Sequence, residues 1–250
     1  PILPFIEGLR DRGFYDVTLV YLDKLEQRSD LPADIKERIP YERAQTLLAG
    51  VRELNSVDAQ RQQLDAADAA FEQFVKASPG NPLAATANTW RGRILFEKAR
   101  VEIFEGDDPT HQSKRKDYQA KARSLLHLAR RLFEQAAAQN KKALDEFPAF
   151  IPESETEKHA ARTKVENTYI EVVFEMGRCT YWEARTYDKG SKEAKAALQK
   201  ASAEFTDMYE RTRNNAGGKF ARLWQGKCFE ELDQITQALG VYEDLLTLTP

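Results

Sequence analysis

Gly92, Gly177 and Gly226 are each followed by a base: Arg93, Arg178 and Lys227. Aromatic residues gather at the same three points, as Trp90 and Phe96, Tyr181 and Trp182, and Trp224. Guanidinium and ammonium groups recurring at one position are chemistry for carboxylates, because an arginine presents paired N–H donors to the two oxygens of an acid. Large aromatic side chains beside them are chemistry for anchoring pockets. The combination points to an acidic peptide or a free C-terminal carboxylate.

Residue types suited to catalysis or metal binding lack the necessary spacing. His111, His127 and His159 are not three or four residues from one another or from a cysteine, so no metal site is expected. There is no CxxC, no glycine-rich phosphate loop, no GxSxG and no HExxH. Carboxylates are plentiful, but on long helices they serve mainly as solvated surface. No catalytic residue and no cofactor is expected, and the chain does not read as an enzyme.

One charge run stands out. Residues 114–131, KRKDYQAKARSLLHLARR, hold seven Lys or Arg and one Asp. At 100° per residue, Lys116, Arg123 and Arg130 line one side of a helix, opposite Tyr118, Ala122, Leu125, Ala129, Leu132 and Phe133. That basic side is either a solvated face or a docking strip for an acidic partner or the periphery of a membrane. Nucleic acid is not expected, because no aromatics interleave with the bases and the net charge of −3 supplies no basic field.

The elements that must position these residues are helices. The chain has 250 residues, 42% of them hydrophobic and 31% charged, with 12 glycines and 10 prolines confined to a few places. That is ample for a core, and no apolar run approaches the ~20 residues of a spanning helix. The composition leaves a cytoplasmic or a periplasmic setting open. Breakers such as SPGNP, EGDDPTHQS and TRNNAGG divide the chain into helices over 3–12, 15–28, 33–54, 57–77, 83–106, 114–146, 155–187, 191–213, 217–232 and 235–248. In SETE, Ser154 followed by Glu157 has the spacing of a capping box. No stretch alternates long enough to predict a strand.

A register runs through these helices. Gly226, Phe229, Ala238, Tyr242 and Pro250 are spaced as small residue, aromatic, alanine, aromatic and proline. That spacing resembles the tetratricopeptide repeat (TPR), a 34-residue helix–turn–helix unit, although Arg222 stands where that family usually has tryptophan. Stretched copies align on Gly92 and Gly177, with Ala44 at the same point of an earlier pair. Second helices align through Ala67–Phe71–Pro79, Ala201–Phe205, and Ala136 with Asn140 and Pro148. A weak first copy contains Thr18 at the alanine position. The glycine-to-alanine distance grows from 12 residues in the last pair to 24 in the fourth, close to three added helical turns.

The resemblance implies an all-α, right-handed superhelical solenoid of about five helical hairpins with elongated helices, a single domain over 1–250. The pairs fall near 3–28, 33–77, 83–146, 155–213 and 217–248. Cys179 and Cys228 take equivalent positions in stacked repeats, about one helix diameter apart, too far for a disulfide; both are expected as buried free thiols. In the family, stacked first helices line a concave peptide-binding groove. Matching positions here are Thr89, Trp90, Arg93, Phe96 and Glu97; then Phe174, Glu175, Arg178, Tyr181 and Trp182; then Leu223, Trp224, Lys227, Glu230 and Glu231. The asparagines of the chaperone-tail clamp are missing, so that specificity does not carry over. Alternatively, the bases pair with glutamates of a neighbouring helix and the aromatics are core.

The implied function is a non-catalytic scaffold that binds peptide or protein partners, similar to large uncharacterised bacterial TPR proteins. A passive spacer in a longer repeat protein, or a regulatory domain beside a catalytic one, are the alternatives. Pro250 falls on the last marked position of a repeat, and Leu239, Leu245, Leu246 and Leu248 lie on the final helix. The chain therefore reads as a piece of a longer protein.

Overall fold

A computed structural model describes residues 2–213 and 215–247. Among the described residues the chain is all helical, with no strand. The ten α-helices are α1 (Ile2–Asp11), α2 (Tyr15–Glu26), α3 (Ala33–Gly50), α4 (Val57–Ala77), α5 (Ala84–Asp107), α6 (Arg115–Asp145), α7 (Thr156–Ala184), α8 (Lys192–Thr212), α9 (Ala216–Glu231) and α10 (Ile235–Thr247). Pro250 and Leu248, both part of the repeat reading, lie outside the described residues.

The breakers act through identifiable backbone chemistry. Ser56, Ser191 and Asn215 cap α4, α8 and α9, accepting from the N–H groups of Ala59, Ala194 and Gly218. At the end of α1, the Gly13 N–H bonds to Arg10 and the Phe14 N–H to Leu9, with Gly13 at φ +77. This is a Schellman closure, which needs a left-handed residue. Asp233 closes α9 the same way at φ +61, with Gln234 bonding back to Phe229.

Two sequence expectations are corrected here. The helix expected over 33–54 ends at Gly50 and passes into a short 3-10 turn, Val51–Glu53. Ser154 does not cap α7. The Glu155 N–H bonds to the Pro152 carbonyl, so the preceding turn sets the start of the helix at Thr156, and Glu155 occupies the cap position without a side-chain bond.

The contacts divide the chain into two compact units, residues 1–94 and 95–250. In the first, α1 packs on α2 and α3, α2 on α3, and α3 on α4. One core cluster holds Ile6, Leu22, Leu25, Leu31 and Ile39. A second joins Tyr41, Ala44, Ala67, Phe71 and Phe74 to Ala87 and Ile94 of α5. Glu42 is 1% exposed yet ionically paired, 2.9 Å from Arg10 and 2.8 Å from Arg38. A buried carboxylate requires such partners.

In the second unit, consecutive helices from α6 to α10 pack pairwise, and α7 also touches α9. Its core runs from Phe96, Ala99 and Ile103 through Leu126, Ala129 and Phe133 to Cys179, Ala201, Phe205 and Cys228. The same joint recurs in two hairpins. A side chain at Gly177 would run into the Phe205 ring, and one at Gly226 into the Tyr242 ring. In each case the aromatic lies four residues after a buried alanine, Ala201 or Ala238. In α6 that pattern belongs to Ala129 and Phe133, both fully buried. The residue four after Ala136, Asn140, instead donates to the Ala136 carbonyl of its own helix.

Candidate functional site

The eight residues singled out from the sequence fall in both units. Trp90 and Arg93 belong to the first. Trp90 is half-buried against the core of that unit, and the Arg93 guanidinium lies 4.8 Å from its ring centroid.

The other six come together in the second unit. Helical spacing of three and four residues places Arg178, Tyr181 and Trp182 along α7 with Arg185 at its C-cap, Phe96 and Arg100 along α5, and Trp224 and Lys227 along α9. The resulting wall alternates cations and rings. Arg100 and Arg185 lie 5.0 and 4.9 Å from the Trp182 ring centroid. Trp182 meets Phe96 edge-on at 6.3 Å. The Arg178 guanidinium sits 4.4 Å from Phe96 and 5.4 Å from Trp224. The Lys227 ammonium lies 4.6 Å from Trp224, and Tyr181 meets Trp224 edge-on at 5.0 Å. Ring faces carry negative charge density, so this ordering is favourable at every step.

The wall engages the bases internally. Arg178 holds both oxygens of Glu175, at 2.8 and 3.1 Å, from within its own helix. Phe96, Tyr181 and Trp182 are buried, whereas Trp224 and Lys227 are half-exposed. Burial pushes the Tyr181 hydroxyl well above its ordinary value, and the nearby Glu231 carboxylate adds to the shift.

Next to this wall lies a groove of about 990 Å³. Its walls are residues 159–175 of α7 and 215–220 at the start of α9, with Met208 of α8 also lining it. Ile170, Phe174 and Phe220 give it an apolar lining, and Lys164, Asn167 and Glu171 form part of its polar lining. Phe174 joins groove to wall: its ring centroid is 6.2 Å from Phe220 and 6.0 Å from Trp224. Phe220 is 56% exposed. Sequence reasoning named Phe174 and Glu175 but missed the other lining residues, which are spread over α7, α8 and the start of α9 and share no motif.

The basic run of α6 is not a solvated face throughout. Lys116 is exposed. Arg123 instead donates to the carbonyl of Thr186 at 3.0 Å and covers the Tyr187 ring at 4.3 Å. Arg130 reaches the Met176 carbonyl at 2.9 Å, the Thr180 hydroxyl at 2.6 Å and Glu204 at 2.9 Å. Burial disfavours its charge, but the Glu204 carboxylate outweighs this, and its pKa is raised. Helical periodicity does not reveal these partners, which lie on α7, just after it and on α8.

Cys179 and Cys228 are buried free thiols. Burial pushes both up, Cys228 to about 12, which suppresses the thiolate that nucleophilic or redox chemistry needs. His159 bonds to the Ile151 carbonyl at 3.0 Å, and His127 meets Glu183 at 3.1 Å. Among the described residues, no group of three or more His, Cys, Asp or Glu could hold a metal ion, and no helix is long and apolar enough to cross a membrane. No family model matches the chain, and comparison with curated proteins returns no match.

Proposed function

We propose that this chain is a non-catalytic interaction scaffold of TPR-like helical hairpins, binding peptide or protein segments on the first-helix face of its second unit. The observation that carries this reading is the groove between α7 and α9, large enough for several side chains and lined by Ile170, Phe174 and Phe220. Clefts with an apolar lining and a few polar groups are the usual form of a binding site. The hairpin reading is supported by the repeated glycine–aromatic joint and by the contact of α7 with α9.

Within this proposal the groove accepts apolar anchors of the partner. The cation–ring wall holds the two first helices in place, and Lys227 at its end offers a charge for an acidic residue. The spacer reading gains support from Arg178, which is engaged with Glu175 rather than presented outward.

The test pairs affinity capture from the native cells with melting curves. Phe220→Asp and Asn167→Trp alter the groove without touching buried core. A captured protein that is lost with both variants, at unchanged melting temperature, supports the scaffold. Retention of the same proteins by both variants would leave the spacer reading in its place.

A further inference from the structure

A second cavity lies at the other end of α7, where the ends of α5, α6, α7 and α9 and the first turns of α8 meet. It measures about 280 Å³ and is lined by three cationic side chains, Arg115, Arg185 and Lys189, against two carboxylates, Asp107 and Glu231. The nearest oxygens of Asp107 are 3.7 Å from Arg115 and 3.9 Å from Arg185. Both separations exceed a hydrogen bond, so Asp107 attracts the two guanidiniums without taking up their donors. The Nε of Arg115 is buried and has no hydrogen-bond partner. The Arg185 guanidinium lies over the Trp182 ring, 4.9 Å from its centroid, which fixes its place beside the cavity.

We propose that this cavity binds a single oxyanionic group, a carboxylate or a phosphate, between Arg115 and Arg185. An oxyanion with two or more acceptor oxygens can take a hydrogen bond from each guanidinium at once, which Asp107 at its present distances does not. Lys189 adds a third positive charge. Asp107 is then a built-in competitor: it neutralises the arginines when the cavity holds nothing, and it repels an arriving anion. The site is independent of the groove between α7 and α9.

The experiment titrates the full chain by calorimetry with inorganic phosphate and, separately, with acetate, each against chloride at equal ionic strength. Binding of phosphate alone assigns a phosphate group, binding of acetate alone a carboxylate, and binding of both a general oxyanion site. Arg115→Gln and Arg185→Gln should each weaken the binding at least tenfold. Asp107→Asn should tighten it severalfold, a gain that misfolding cannot produce. Phosphate and acetate no better than chloride would overturn the proposal. So would an affinity that Asp107→Asn leaves unchanged or weakens.

Discussion

The ring of Phe205 occupies the space that any side chain at Gly177 would need. A methyl carbon built there would lie 2.7 Å from Cε1 of that ring, closer than real carbons approach. Gly177→Ala should therefore cost roughly 1–3 kcal/mol through overpacking. Denaturant midpoints check the value. A double-mutant cycle with Phe205→Leu should show favourable coupling, since the smaller side chain makes room for the methyl. Additive losses would mean that the two residues do not meet.

Arg178 links α5, α7 and α9 through two rings and Glu175. Arg178→Ala should cost about 1–3 kcal/mol, the sum of two cation–ring contacts and a partly shielded ion pair. Arg178→Met keeps the stem on the rings and should recover part of that loss. Equal melting temperatures for wild type and Arg178→Ala would show that the wall adds no stability.

These two residues show what was legible. The alternating breakers gave the helices, including α4 over the expected residues 57–77, because caps and turns are local chemistry. The small-residue register gave Gly177 and Gly226, because a close crossing excludes side chains. Missing were the roles of Arg123 and Arg130, which reach partners 46 to 74 residues away. The groove was missed because it is assembled from residues of α7, α8 and α9 that are far apart in sequence, which no motif encodes. Arg178 was read as a base for a partner's acid, and the structure shows it pairing with Glu175, three residues back in the same helix.

Arg130→Met should be more damaging than Arg178→Ala. It leaves the partly buried Glu204, bonded also by Thr180 at 2.8 Å, without its counter-charge, at a cost of about 2–4 kcal/mol. Adding Glu204→Leu should restore some of the stability, because the uncompensated charge is then gone. Urea unfolding of both variants measures the difference.

The thiols give a pH dependence. In the unfolded chain Cys228 ionises near its ordinary 9.0, whereas the folded chain holds the proton to about 12. Between these values the native state binds more protons than the unfolded state, so stability falls as pH rises. The decline should begin above about pH 9, where free thiols start to ionise. Cys179→Ala with Cys228→Ala should remove the part of it that precedes tyrosine ionisation. Stability measured at pH 8, 9 and 10 shows whether the slope disappears.

Asp233 holds a left-handed conformation at the end of α9, φ +61. Glycine adopts it without the Cβ conflict, so Asp233→Gly should stabilise the chain by about 0.5–1 kcal/mol. A lower melting temperature would mean that the carboxylate serves some other contact.

The placement of the three tryptophans supplies each unit with its own light source. Trp90 lies in residues 1–94, with a guanidinium over its ring; Trp182 and Trp224 lie in residues 95–250, each beside cations. Emission from an indole shifts when its ring passes from packed surroundings and adjacent charge into water. Trp90→Phe leaves a spectrum that reports the second unit alone, and replacing Trp182 and Trp224 with phenylalanine leaves one that reports the first. Unfolding can thus be watched separately in the two halves of the chain, without an added dye.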